Sequence, residues 1–349
     1  MPDFFFDKHD SLDRKNYAVF LQNILENNEQ NRRDDSNNAY VLAVDSPWGT
    51  GKTRFAIMLK NHLENKFLPD SGRRSNSNSK FNAIYYDALS SDYNPDAMEP
   101  LMHALVNSNA LKVPGAADDL EQLKIACTGI LKMLGYGIMR VVLGEAGALA
   151  ALDTEHLLGE KDQDPLQSYT KKLELYDTFR NALASAIKRS NKKLVIIIDE
   201  LDRCKPTFAI QTIEMAKHLF DVQGLIFIFF LDITQLSSAV KCVYGSDMDA
   251  TGYLCRYFDF ISRLPTPDTM RFIHMKLKTI PYYQKMAEDY SDATAYILKL
   301  SQTFQLSLRD ISTIMTNYAI MCSTILQRYS HFSEHRIYLF LLVLKYKNL

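Results

Sequence analysis

Apolar residues along this 349-residue chain fall into two patterns. The first is a short unbroken run of β-branched, aromatic and leucine side chains. Such runs occur at Tyr40–Val44, at Ala83–Tyr86 in the middle of Phe81–Leu89, at Leu194–Ile198 and at Leu225–Leu231; Phe258–Leu264, which Asp259, Ser262 and Arg263 interrupt, predicts a further short strand. Continuous apolarity without alternation predicts strands covered on both faces. The second pattern is apolar spacing of three and four. It is clear over residues 11–29 through Leu12, Tyr17, Phe20, Leu21, Ile24 and Leu25, and it predicts an amphipathic helix. The same spacing predicts helices over Lys52–Phe67, Thr207–Phe220, Thr234–Tyr244 and Thr251–Tyr257, and over most of 97–190, with breaks at Pro114-Gly115 and Gly159–Pro165. From Pro267 onward the pattern is helical throughout. Asn27–Asn38 and Pro69–Lys80 are polar and predict loops. Strands that alternate with helices predict an α/β fold with a doubly wound parallel sheet. The expected organisation is a core over 1–265, with a helical insertion at about 97–165, and a smaller C-terminal helical lid over 266–349.

Composition narrows the class. Apolar residues make up 47% and charged residues 23%, enough for a sizeable core, and the formal net charge is −1. No global basic field supports a nucleic-acid partner; Arg73-Arg74 with Lys80 is a small basic loop whose plain reading is solvated surface. Cys127, Cys204, Cys242, Cys255 and Cys322 form no CxxC pair and no metal spacing, which reads as reduced thiols in a cytoplasmic protein. The opening MPDFFFDKHD lacks the basic and apolar regions of a signal peptide. Ile125–Leu152 needs a membrane test. Lys132, Arg140 and Glu145 interrupt it, and a spanning helix needs roughly 20 apolar residues. It reads as a buried or interfacial helix pair, with membrane association as the alternative. No HExxH, Ser-His-Asp or zinc spacing is present, so those hydrolytic chemistries have no residues to carry them. The tail Ile337–Leu344 predicts a packed terminal helix or an interface for a partner.

The chemistry sits at two strand ends. After Tyr40–Val44 comes Ser46-Pro47-Trp48-Gly49-Thr50-Gly51-Lys52-Thr53, followed by a helix. This is the context of a phosphate loop, in which backbone N–H groups curl around a phosphate at a helix N-terminus. Ser46 stands where the first glycine is expected, and Gly49 is placed to supply that freedom instead. Lys52 would reach the β- and γ-phosphates of ATP, and the Thr53 hydroxyl would ligate Mg²⁺. The plain alternative is a glycine-rich turn capping an ordinary helix.

The second strand end is Asp199-Glu200, after Leu194–Ile198. Asp199 would hold Mg²⁺ through a water, and Glu200 would polarise the attacking water. Asp202 and Arg203 extend the cluster. The alternative is a solvated turn after a core strand. Two such motifs on separate apolar strands in this order support each other. The acid directly after Asp199 points to the branch of these folds with a strand between the two motif strands. Leu225–Leu231 supplies a further strand, and Asp232 at its end stands where a γ-phosphate sensor sits. A helix N-cap is the competing role for Asp232.

Pro47-Trp48-Gly49-Thr50-Gly51-Lys52-Thr53, together with Ile198-Asp199-Glu200-Leu201-Asp202-Arg203-Cys204-Lys205-Pro206, resembles the KAP family of P-loop NTPases. Ile84-Tyr85-Tyr86-Asp87-Ala88 is similar to the family's second strand, where a Trp near Ala88 is more usual. The resemblance covers most of 9–320. It implies an additional-strand P-loop NTPase core related to AAA+ and STAND proteins, with ATP and Mg²⁺ as cofactors and a homo-oligomer or partner protein as the working assembly. By the same analogy, Arg256 in Arg256-Tyr257-Phe258-Asp259 would reach the γ-phosphate of a neighbouring subunit. Arg203 competes for that role, and Arg309 would act from the start of a lid helix. Family members often carry transmembrane helices after the second strand, the place Ile125–Leu152 occupies here. Bacterial members are often linked to mobile elements and phage defence, and animal members to membrane signalling scaffolds; the resemblance implies phage defence or a related signalling system as the setting, a role that is not legible in the residues themselves. The expected function is Mg-dependent ATP hydrolysis driving a conformational or assembly switch. A non-hydrolysing scaffold and, more weakly, a small-molecule kinase are the rival readings.

Overall fold

The structure is a computed structural model that describes residues 4–27, 39–66, 79–112, 117–133, 165–280, 289–324 and 332–348. Its centre is a five-stranded sheet of β1 (Tyr40–Asp45), β2 (Phe81–Asp87), β3 (Lys193–Asp199), β4 (Leu225–Leu231) and β5 (Phe260–Arg263). The strand order is β2-β3-β4-β1-β5, and every pair is parallel. The doubly wound sheet expected from the sequence is therefore present. β4 lies between the strands that carry the two motifs.

The apolar runs are continuous because each strand feeds two cores. Val41, Ala43, Ile196, Ile198, Phe227 and Phe229 point to one face, where they join Phe179, Leu183, Phe208 and Ile213. Tyr40, Leu42, Val44, Val195, Ile197, Ile228 and Phe230 point to the other, where they join Leu21, Leu25, Phe55 and Leu59. The period-two alternation is intact, but both of its phases are apolar. Each such side chain withdrawn from water contributes about 1.5–3 kcal/mol before chain entropy is counted. A third cluster, with Ile273, Leu277, Ile311, Ile314, Tyr318, Leu339 and Val343 at its centre, belongs to the helices after residue 266.

Several element ends differ from the sequence expectation. The N-terminal helix is Lys15–Glu26, not 11–29, because the Asp10 carboxylate accepts the backbone N–H groups of Arg14 and Lys15 and Asp13 takes a left-handed backbone. The helix after the phosphate loop ends at Leu63 instead of Phe67, with Asn65 at φ 51° closing it. The second strand stops at Asp87, and Leu89–Ser91 is a single helical turn. The last strand is Phe260–Arg263, and the helix before it is Ala250–Cys255. Of the predicted insertion, Met98–Asn107, Ala117–Met133 and the start of Pro165–Ser190 are helical. Residues 134–164, which hold most of Ile125–Leu152, lie outside the described residues, as do Pro114-Gly115 and Arg73-Arg74. Among the described residues no helix is long and apolar enough to cross a membrane. The terminal helix Phe332–Lys347 buries Leu339 and Val343 and exposes Ile337 and Leu341.

Register decides what meets. Asp45 aligns with Leu231, Asp199 with Phe230 and Asp87 with Asp199. The carboxyl ends of β1 to β4 thus finish at one edge. In open parallel sheets this edge is where ligands bind.

Candidate active site

The loop Ser46–Gly51 leaves this edge and turns into helix Lys52–Leu63. Ser46 N–H donates to the Leu231 carbonyl (3.0 Å), which ties the loop's start to β4. Gly49 and Gly51 take φ of 79° and 89°, a left-handed backbone that disfavours side chains. Ser46 does not take positive φ, and its hydroxyl lies 2.6 Å from the Thr50 hydroxyl. Serine is therefore tolerated in place of the first glycine. The conformational freedom resides at Gly49 and Gly51, and the Ser46–Thr50 bond closes the loop.

Lys52 is 8% exposed. Its ammonium donates to the Ser46 carbonyl (2.6 Å) and pairs with Asp202 Oδ2 at 3.5 Å. The Thr53 hydroxyl donates to Glu200 Oε1 at 3.1 Å. Residues 147 positions apart are thus in direct contact.

Asp199 has no solvent-exposed surface. Its carboxylate accepts from the Tyr85 hydroxyl (3.0 Å) and from the Glu200 N–H (2.9 Å). Burial pushes this carboxyl up to about 6, although the nearby Thr53 hydroxyl and the hydrogen bond from Tyr85 pull the other way. Burial and the Asp199 charge together push the Tyr85 phenol well above its ordinary range. Glu200 sits in left-handed backbone (φ 61°), unusual for a residue with a side chain. Arg203 donates to its Oε2 at 2.6 Å, so the carboxylate is shared between Thr53 and Arg203.

Asp202 acts as the hub. Its side chain is 1% exposed. Its Oδ2 accepts from Trp48 Nε1 (2.8 Å), from the Asp232 backbone N–H (2.8 Å) and from Lys52. Its Oδ1 is buried and without a hydrogen-bond partner. One carboxylate therefore joins the phosphate loop, the turn after β3 and the end of β4. Asp232 itself caps helix Ile233–Tyr244, with Oδ1 accepting from the N–H groups of Thr234 and Gln235. The capping role weighed against a sensor role is thus occupied.

Helices after residue 266 border the same edge. A cavity of about 390 Å³ has Gly49, Gly51, Lys52, Thr53 and Glu200 on one wall and Leu308, Arg309 and Ser312 on another. Its size falls within the range of small-ligand sites. Arg309 is exposed, and Asp310 turns away from it to accept from the Ser307 N–H and the Tyr346 hydroxyl. Ser307 presses on the loop: a Cβ at Gly49 would stand 2.8 Å from Ser307 Oγ. Gly49→Ala is accordingly expected to lower stability by about 1–2 kcal/mol through the left-handed backbone alone, as read by thermal unfolding. A change within error would show that the loop takes alanine at this φ without strain and that Ser307 yields.

Arg256 is placed elsewhere. It follows helix Ala250–Cys255 and precedes β5, whose parallel pairing with β1 puts it where the strands begin; Asp259 N–H bonds the Val41 carbonyl. It is exposed and lies at the opposite edge from Lys52, so within one chain it does not join the cluster. Sequence reasoning missed Tyr85, the hub role of Asp202, and Ser11 and Leu12, which line the cavity. Tyr85 gave a faint signal, sitting two residues before the strand end that aligns with Asp199.

Among solved structures, the chain aligns with C. elegans PCH-2 at 12% identity and a TM-score of 0.41, over 95% of this chain and 68% of that one. It aligns with the ORC2 protein of Aeropyrum pernix, in ADPNP–ADP complexes, at 13% identity and a TM-score of 0.40, over 91% and 71%. No curated protein sequence matches it. The model of the KAP family P-loop domain matches residues 14–325, most of the chain. The chain belongs to the KAP family of P-loop NTPases.

Proposed function

We propose that this chain binds Mg·ATP between the phosphate loop and the lid and hydrolyses it, with the lid over 266–349 responding to the nucleotide. The observation that carries the reading is the 3.1 Å contact between Thr53 and Glu200, made across 147 residues at the edge where Lys52 and Asp199 also stand.

The residues fit the implied groups. Two glycines in left-handed backbone free the loop to present N–H groups, and helix Lys52–Leu63 adds the positive end of its dipole. Lys52 is already buried and turned inward. Asp199 is a buried acid whose carboxyl burial raises to about 6, a group whose charge a cation would favour. Among the described residues no cluster of three or more His, Cys, Asp or Glu could cage a metal, so a magnesium ion would take its remaining ligands from phosphate and water, as that ion prefers. When bound, it withdraws charge from the phosphate oxygens.

Thr53 would offer its hydroxyl to the ion, and Asp199 would orient a coordinated water. Glu200, released from Thr53, would take the proton of the attacking water. Lys52 would hold the β- and γ-phosphates, and Arg309 would bring positive charge from the lid. Arg256, facing away from its own site, would serve a neighbouring copy; an arginine supplied in trans is worth about 10³–10⁵ in rate in other P-loop classes.

A second reading, a nucleotide-dependent scaffold that does not turn over, draws on the Glu200 carboxylate being tied to both Thr53 and Arg203. One experiment separates the two. Trp48 is the chain's single tryptophan and hydrogen-bonds Asp202. Its fluorescence should change on titration with Mg·ATP, and free phosphate should then accumulate, with size measured in parallel. Binding without phosphate release would favour the scaffold; no response at millimolar Mg·ATP would end both readings.

A further inference from the structure

The proposed chemistry does not use Arg14, yet its buried guanidinium stands where three parts of the chain meet. It is 1% exposed. Nη1 donates to the Thr50 carbonyl in the phosphate loop (2.9 Å), and Nη2 donates to the Pro265 carbonyl (2.8 Å). Thr50 precedes Gly51, and Pro265 lies between β5 and the first lid helix, Thr269–Lys278. One planar group thus spans the loop that would wrap the phosphates and the point where the chain leaves the sheet for the lid.

Its surroundings separate this arginine from an ordinary structural one. Buried arginines normally meet a carboxylate. Among the described residues no carboxylate is in ion-pair contact with this guanidinium; the charge of Asp10, whose oxygens accept the backbone N–H groups of Arg14 and Lys15, acts on it only at longer range. Burial lowers its pKa to about 10, which leaves it charged at neutral pH. The packing is also tight. A Cβ at Gly51 would come within 3.3 Å of Leu12 and 3.5 Å of Arg14 Nη1, and Leu12 in turn packs against the lid's apolar cluster. This segment therefore lies between the loop and that cluster.

We propose that Arg14 is a positioning residue that couples the phosphate loop to the lid, carrying a displacement of the Thr50 carbonyl to Pro265 and so to the lid helices. The inference rests on the nucleotide reading of the loop. Arg14→Met keeps the apolar stem and removes both donors. Arg14→Lys keeps the charge, but a single ammonium does not reproduce the fixed pair of a guanidinium.

The test is hydrogen–deuterium exchange of Thr269–Lys278 and Leu308–Thr324 in the whole chain, with and without Mg·ATP, with Trp48 fluorescence recording binding in the same samples. In the parent chain Mg·ATP should slow lid exchange by about fivefold or more, the lower range of allosteric couplings. Both variants should still bind within about tenfold, while the slowing falls below about twofold. If either folded variant slows its lid as the parent does, Arg14 is not the coupling. If Arg14→Met fails to fold, Arg14→Lys decides by the same criterion. A parent chain that binds Mg·ATP without slowing its lid overturns the coupling and leaves the nucleotide reading standing. A parent chain in which Trp48 reports no binding overturns both.

Discussion

Replacing Glu200 with glutamine is expected to slow ATP turnover by about 10²- to 10⁴-fold, the usual contribution of a positioned general base, and to leave nucleotide binding nearly intact. The two effects separate because the contacts separate. Glutamine keeps an oxygen that can accept from the Thr53 hydroxyl, so the loop and helix Lys52–Leu63 hold their arrangement. It cannot take a proton from water. The change also removes the partner of Arg203, at 2.6 Å, but that arginine is 39% exposed and such pairs contribute about 0–1 kcal/mol. Folding should therefore be unaffected, and the left-handed backbone of residue 200 is no worse for glutamine than for glutamate. Phosphate release under saturating Mg·ATP reads the first effect, and Trp48 fluorescence reads the second. Unchanged steady-state release would remove Glu200 from the role of base. Loss of binding would instead make the Thr53 contact part of the nucleotide site itself.

This prediction leans on features that differ in how readable they were. β1, β3 and β4 were legible because burial on both faces writes the same apolar run into each strand. Asp199 was legible because it follows such a run directly, and Lys52 because it opens the helix after the glycine-containing loop that leaves β1. Helix ends were less so: Asp10 reaching the N–H of Arg14 and Asn65 reversing the backbone are single-residue events inside otherwise periodic stretches. Contacts made across the chain leave little or no local trace. Tyr85 reaches Asp199 over 114 residues, Trp48 reaches Asp202 over 154, and Arg14 reaches Pro265 over 251. Each is a polar side chain whose meaning exists only once the register is set. Asp232 shows the opposite case. Its local capping signal and its place at a strand end were both visible, and the cap is the role its carboxylate fills.

Replacing Asp199 with asparagine should stabilise the metal-free protein at pH 8 while lowering Mg-dependent turnover. The carboxyl has no exposed surface, and burial raises its pKa from 3.8 to about 6. Between these values the folded state holds the proton more tightly than the unfolded chain, so stability falls as pH rises through the window. Above pH 6 the whole penalty is present, about 3 kcal/mol. Asparagine is neutral at every pH and escapes it. Its amide still accepts from the Glu200 N–H, and the Tyr85 hydroxyl can turn to accept from the new NH₂. Some of the gain is lost to imperfect geometry, so the net expectation is about 1–3 kcal/mol at pH 8, shrinking to about 0.5 kcal/mol or less near pH 4. Urea unfolding at the two pH values, without Mg²⁺, measures this directly. Turnover should fall about 10- to 100-fold, as for groups that orient a metal's ligands from the second layer. Adding Mg·ATP should then stabilise the parent chain more than the variant, reversing their order. A variant less stable than the parent at pH 8 would mean that Tyr85 and Glu200 compensate the buried charge in full. The acid would then be a settled structural group whose charge the fold already compensates.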